Sequence, residues 1–178
     1  MAELVGQMVT LCRMDEAQPL DKKEFSLSDT VADTASEFLP LAQETGKRME
    51  TDVEPGLVCF GDEGAIRRLL SVLLDNALKY CDPAGEIRVV LCGKRHPTLT
   101  VENSFSAVGE TDLTRLFDRF YRSDKARTSG SGSGIGLSIA KAIAGAHRAE
   151  ISAYQAGVDR IGFRVQFRGR QQVADKRR

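Results

Sequence analysis

The sequence predicts a two-layer α/β sandwich, and three observations carry that reading. Short runs rich in β-branched and aromatic residues sit among longer runs of helical period. Their order is mixed rather than strictly alternating, which suits a sheet packed under helices better than a barrel. The 178 residues provide material for one domain with a two-layer core.

Taken in order, "MAELVGQMVTLCRMDEA" places Leu4, Met8, Leu11 and Met14 at helical spacing, and "QPLDKK" breaks that pattern as a linker. Residues 1–20 are therefore expected to be the end of a longer helix plus a linker, residues 21–168 the folded domain, and residues 169–178 a solvated tail. "EFSLSD" predicts a short strand, with Ser28 as the N-cap of a helix running to Thr45. Val31, Ala35, Phe38 and Ala42 would form its buried stripe, Pro40 is a point where it can bend, and Gly46 stops it. "KRMETDV" and "LVCF" predict two strands, and Asp62 is expected to cap the helix that ends "IRRLLSVLLDNALKY". "EIRVVLC" and "TLTVEN" predict two more strands, "TDLTRLFDRF" a short helix, and "IGLSIAKAIAGA" another helix. "AEISAY" and "IGFRVQF" close the pattern as strands.

Composition excludes several functions. Twenty-five acids balance 25 bases, so no net field draws the chain to nucleic acid or to a membrane surface. No apolar run reaches membrane-spanning length and no signal peptide is visible, which points to a cytoplasmic segment that does not itself span a membrane. Cys12, Cys59, Cys81 and Cys92 are widely spaced, which argues against a zinc site and for reduced thiols.

Two stretches carry chemistry. In "SGSGSGIGLSIAKAI", Gly130, Gly132, Gly134 and Gly136 alternate just before a helix. Glycines let backbone amides approach an anion, and a helix N-terminus adds further amides and a positive dipole end. A serine-glycine linker before a helix would look much the same, and no Lys-Ser or Lys-Thr follows as in a P-loop. On the "DNALKY" helix, Ile66, Leu69, Leu70, Leu73 and Ala77 define a core face, with Asn76 and Lys79 on its edge. The Asn76 amide oxygen suits Mg²⁺, a hard cation, and Lys79 suits a phosphate; a local cap and a solvated lysine are the plainer alternatives.

"LLDNALKY", "RLFDRFYRSDKAR" and "GSGIGLSIAKAI", in that order, resemble the ATP-binding catalytic domain of bacterial sensor histidine kinases, within the GHKL ATPase superfamily. The resemblance covers Phe25 to Phe167. It implies a Bergerat-type fold, a mixed sheet covered by helices on one face, with ATP and Mg²⁺ as cofactors. By that resemblance Asn76 binds the metal, Lys79 contacts phosphate and Tyr80 flanks the adenine. Arg119 and Arg122 contact the γ-phosphate, Phe117, Phe120 and Tyr121 form the hinge of a lid, and Gly132, Gly134, Gly136 and Leu137 make the second glycine box. It further implies transfer of the γ-phosphoryl group to a histidine on a separate dimerisation domain, a response regulator as downstream partner, and membrane anchorage of the whole kinase. Planar arginines fit the first of these roles because charge spreads over phosphoryl oxygens in the transition state.

The chain departs from the family pattern in four ways. Asn103 stands where an adenine-reading aspartate is usual, and Phe105 and Ala107 replace the glycines of that box. An asparagine can accept from adenine or, flipped, donate to guanine, so position 103 predicts a small ATP-over-GTP preference. Val72 replaces a polar residue one turn before Asn76, and Arg148 and Ala149 follow His147 where glycines are usual. Neither His96 nor His147 lies in a phosphoacceptor motif. Two other functions fit the same residues: a degenerate domain acting through protein contacts, and a serine kinase of the anti-sigma type.

Overall fold

The computed structural model describes residues 20–121 and 134–168. Strands β1 (Lys23–Ser26) and β3 (Val58–Gly61) pair antiparallel as a small ribbon. The main sheet has the order β2-β4-β5-β7-β6, from β2 (Arg48–Val53), β4 (Glu86–Cys92), β5 (Thr98–Ser104), β6 (Glu150–Gly157) and β7 (Arg160–Gln166). Only β2 and β4 run parallel, so the sheet is mixed, as expected. Helices α1 (Leu27–Glu44), α2 (Glu63–Tyr80) and α3 (Gly136–Ala146) form the second layer, with α2 packed between α1 and α3.

Strand alternation decides which face they cover. Ile87, Val89 and Leu91, Leu99 and Val101, and Ile161, Phe163 and Val165 are buried on one face. Register places them in rows, for example Val89 opposite Val101 and Val101 opposite Phe163. The other face carries charge: Arg48 and Arg160 both pair with Glu86, and the Tyr154 hydroxyl donates to Glu102 Oε1 at 2.6 Å. Burial, and then that hydrogen bond, push the Tyr154 hydroxyl up to about 12.

The α1 stripe is as expected, with Val31, Ala35, Phe38 and Ala42 buried, and the helix continues through Pro40. Its start differs. Ser26, not Ser28, is the N-cap and accepts from the Asp29 N–H at 3.2 Å. Ser28 lies inside the helix, where its hydroxyl donates to Glu54 O at 2.6 Å and accepts from Leu57 N at 2.9 Å. Two serines flank Leu27, and tertiary partners for the second leave the first to cap.

The predicted helix over "TDLTRLFDRF" is also corrected. It holds only a 3₁₀ turn, Leu113–Arg115. The Asp112 carboxylate accepts from Thr114 N–H and hydroxyl at 3.1 and 2.6 Å, a local arrangement that competes with helix. Those bonds also hold its carboxyl below the usual aspartate range. Phe120 takes φ +66°, incompatible with a continuing right-handed helix.

Asp62 caps α2 as expected, accepting from Ala65 N at 2.9 Å. Its own N–H donates to His147 Nε2 at 2.9 Å. The ring reaches it because residue 61 is glycine: a Cβ there would lie 2.4 Å from His147 Cδ2. Gly61→Ala is therefore expected to cost about 1–3 kcal/mol through overpacking and loss of that hydrogen bond. The melting temperature should fall by about 2–12 °C. Gly145→Ala, with open space around its Cβ position on the exposed side of α3, should be neutral or stabilising. Equal melting points for the parent and Gly61→Ala would contradict the contact.

Candidate functional site

Three segments converge at the C-terminal half of α2. The face Ile66, Leu69, Leu70, Leu73, Leu74 and Ala77 is fully buried. That burial fixes the helix's rotation and puts Val72 and Asn76, one turn apart, on its half-buried rim. Val72 Cγ1 lies 3.5 Å from where a Cβ on Gly136 would stand, so the start of α3 abuts this rim. No side chain caps α3 at Ile135, which leaves its first-turn amides without a side-chain acceptor there. A helix N-terminus with this opening favours an anion.

The third segment joins through Gly134. Phe120 N–H donates to Gly134 O at 3.0 Å. Gly134 has φ +69°, and a Cβ on it would meet Phe120 C at 3.0 Å. Phe120 is itself left-handed and 66% exposed, an uncommon and strained state for an aromatic residue. Before it, Phe117 is buried edge-on against Phe163 with ring centroids 6.2 Å apart. Tyr121 is half-buried, with the Arg115 guanidinium 4.7 Å from its ring centre. Arg119 is exposed between the two phenylalanines.

One turn beyond Asn76 on α2, Lys79 is exposed with Nζ 5.4 Å from the centre of the half-buried Tyr80 ring. Strand β5 packs against α2 and carries Asn103, fully buried, one residue before its end. Asn103 Nδ2 donates to Ser104 O at 3.0 Å, while Oδ1 is buried with no hydrogen-bond partner among the described residues. An unpaired buried acceptor costs about 1–3 kcal/mol, so it calls for a donor. Phe105 follows, 9% exposed, and packs into the core with Ala107. Asp82 holds this loop, accepting from Ser106 N at 2.6 Å.

The structure thus brings together Gly134, Phe120 and Tyr121, and sets Gly136 against Val72, one turn before Asn76, with Leu137 packed into the core. Arg122 and Gly132 lie outside the described residues. Sequence reasoning missed Arg115, whose spacing of three to Asp118 was the available signal; their side chains approach to 3.7 Å. It also missed that the Asn103 amide is held in one orientation, which only the fold reveals. That bond bears against the flip on which a weak ATP-over-GTP preference was expected.

The histidines sit apart from this site. His147 Nε2 accepts from Asp62 N–H and Nδ1 donates to Ile143 O at 2.8 Å, so both ring nitrogens are engaged. His96 is exposed in the turn between β4 and β5. After His147, Arg148 takes φ +55°, the position a glycine would hold without strain. Burial pushes the Cys59 thiol up to about 11 and raises that of Cys81, so neither is poised as a thiolate. Among the described residues, no helix is long and apolar enough to cross a membrane.

Residues 61–171 match the family model of histidine kinase-, DNA gyrase B-, and HSP90-like ATPases. The sensor histidine kinase CusS of Escherichia coli strain CFT073 is 40% identical over 156 residues, 85% of this chain and 32% of that protein. The probable sensor protein PcoS of Escherichia coli is 36% identical over 171 residues, 94% of this chain and 36% of that one. The chain spans about a third of the length of these curated relatives. Among solved structures, full-length ShkA in complex with AMPPNP superimposes with TM-score 0.79 at 21% identity, over 93% of this chain and 35% of that one. Histidine kinase ThkA in complex with the response regulator TrrA gives TM-score 0.76 at 19% identity, over 96% and 48%. At those identities the two structures bear on fold alone, and the sandwich they share is the one described above. The family match and these kinase relatives, read with the fold, place the chain among the histidine kinase-, DNA gyrase B-, and HSP90-like ATPases, as the ATP-binding catalytic domain of a sensor histidine kinase.

Proposed function

We propose that this chain binds Mg²⁺-ATP between α2, the end of β5 and the start of α3, and donates the γ-phosphoryl group to a histidine on a dimerisation domain of the same kinase. The observation that carries the reading is the buried, unpartnered Asn103 Oδ1, an acceptor suited to adenine's amino group. In this scheme Tyr80 and Phe105 bound the base, and Lys79 meets phosphate. The amides of Gly132, Gly134 and Gly136 cradle the phosphates, and Leu137 seats the helix behind them. Phe120 and Tyr121 act as the hinge of a lid. Arg119 and Arg122 face the γ-phosphate, where planar cations spread over several oxygens.

Mg²⁺, when bound, neutralises phosphate charge. Asn76 would hold it through its amide oxygen, with phosphate oxygens and water completing the shell, a donor set that suits this hard cation. No group of three or more acidic, histidine or cysteine side chains converges among the described residues, consistent with a site that Asn76 shares with the nucleotide. The response regulator seen with ThkA supports a partner of that class for the full kinase. A cytoplasmic position, with the whole protein anchored at the membrane, fits the sensor-kinase relatives. The rival reading, a degenerate domain working through protein contacts, draws on Phe105 and Ala107 filling the loop where glycines are usual.

Calorimetric titration tests the metal assignment. Asn76→Ala should lose the Mg²⁺-dependent part of the ATP affinity, on the order of tenfold. A variant that binds Mg²⁺-ATP as tightly as the parent would remove Asn76 from the site, and a parent that binds no ATP would favour the degenerate domain.

Base selectivity tests Asn103. With Nδ2 pinned to Ser104 O, only an acceptor is presented, so guanine's carbonyl oxygen would meet oxygen. ATP should displace a fluorescent ATP analogue better than GTP, by on the order of tenfold or more. Asn103→Asp should gain nothing, because its second carboxylate oxygen would face the Ser104 carbonyl. Equal displacement by GTP, or a tighter Asp variant, would contradict the pinned amide.

A further inference from the structure

Helices α2 and α3 run antiparallel and meet at two places. At one end α2's N-cap, Asp62, donates its N–H to His147 just past the end of α3. At the other, Val72 meets Gly136, the first residue of α3. At 1.5 Å per residue the two stretches between these contacts are about 15 and about 16 Å long, so each contact is in register with the other.

Apolar packing specifies that register only weakly. Ile135, Ile139 and Ile143 form one buried row of α3, Ala140 and Ala144 lie beside it, and Leu137 is buried near the helix start. The isoleucine row repeats every four residues, so a slip of about 6 Å would put isoleucine where isoleucine was, opposed by Leu137, whose place Lys141 would take. Hydrophobic burial is non-directional, so a directional contact adds to what Leu137 specifies. His147 is the next member of the isoleucine row, and it breaks the repeat.

Its ring is held at both nitrogens. Nδ1 donates to Ile143 O at 2.8 Å and Nε2 accepts from Asp62 N–H at 2.9 Å. It lies flush against Gly61, where no side chain fits. The same node gathers the entering chain: Lys22 Nζ donates to Ala146 O at 2.8 Å, and Asp21 N–H donates to the Asp62 carboxylate at 3.1 Å.

We propose that His147 is a positioning residue for triphosphate binding. Its hydrogen bond to Asp62 sets the register of α3 on α2, and so places α3's first-turn amides beside Asn76. The proposal rests on the assignment of those amides and Asn76 to the phosphates.

The test uses the full chain, with Mg²⁺-ATP and adenosine each measured by displacement of a fluorescent ATP analogue. His147→Leu keeps an apolar side chain in the row but loses both hydrogen bonds. It should weaken Mg²⁺-ATP by on the order of tenfold while leaving adenosine within about twofold. His147→Gln, whose Oε1 can accept from Asp62 N–H, should recover most of the loss. A merely structural histidine would lower the melting temperature and leave both affinities unchanged. If the Leu variant does not fold, Gly61→Ala, which displaces the same ring from the other side, should show the same split. A folded variant with the parent's ATP affinity, or one that weakens ATP and adenosine alike, overturns the proposal. In that case a parent that still binds ATP leaves the nucleotide reading standing, whereas a parent that binds neither ligand overturns both.

Discussion

Helix α2 is held on three sides, by the sheet beneath and by α1 and α3 beside it. Six of its residues are fully buried, and removing any one of the leucines would cost about 2–5 kcal/mol. A helix so completely committed has no rotational freedom. Its polar positions are therefore forced onto a rim whose direction the core decides. Leu73 and Ala77 face the core, which leaves Asn76 on the half-buried rim one turn beyond Val72, the residue that meets Gly136.

The same core sets the depth of Asn103. Strand alternation sends Leu99, Val101 and Asn103 to the same face, so the asparagine goes inward with its neighbours and is buried as fully as they are. Among the described residues one oxygen is left unsatisfied, and the amide is oriented by the carbonyl of the very next residue. The Phe120–Gly134 junction is built differently, from backbone: the two residues, both left-handed, are tied by one hydrogen bond. Side-chain burial thus fixes Asn103 and the α2 rim, while strained main chain fixes the approach to α3.

Much of this was legible in the sequence. The apolar period of α2, its Asp62 cap and the α1 stripe follow from patterning, which records which face meets the core; the strand order of the main sheet does not, because pairing joins distant segments. What patterning does not record is competition among partners. Ser26 and Ser28 are equally good caps on paper, and only the carbonyl of Glu54 and the amide of Leu57 decide between them. Likewise "TDLTRLFDRF" has helical period, but the Asp112–Thr114 bonds and the turn at Phe120 prevent the helix. For the candidate site, motif order pointed to Asn76, Lys79 and the glycines. The orientation of the Asn103 amide and the approach of Val72 to Gly136 arise from contacts between distant segments, and no local spacing encodes them.

The central claim is that adenine completes the hydrogen bonding of a buried oxygen. Purine riboside triphosphate, which lacks only the 6-amino group, tests it most directly when compared with ATP by calorimetry in the presence of Mg²⁺. The account predicts that the analogue binds on the order of tenfold or more weakly, because Asn103 Oδ1 then stays unpaired beneath the base. Equal affinities for the two nucleotides would contradict it.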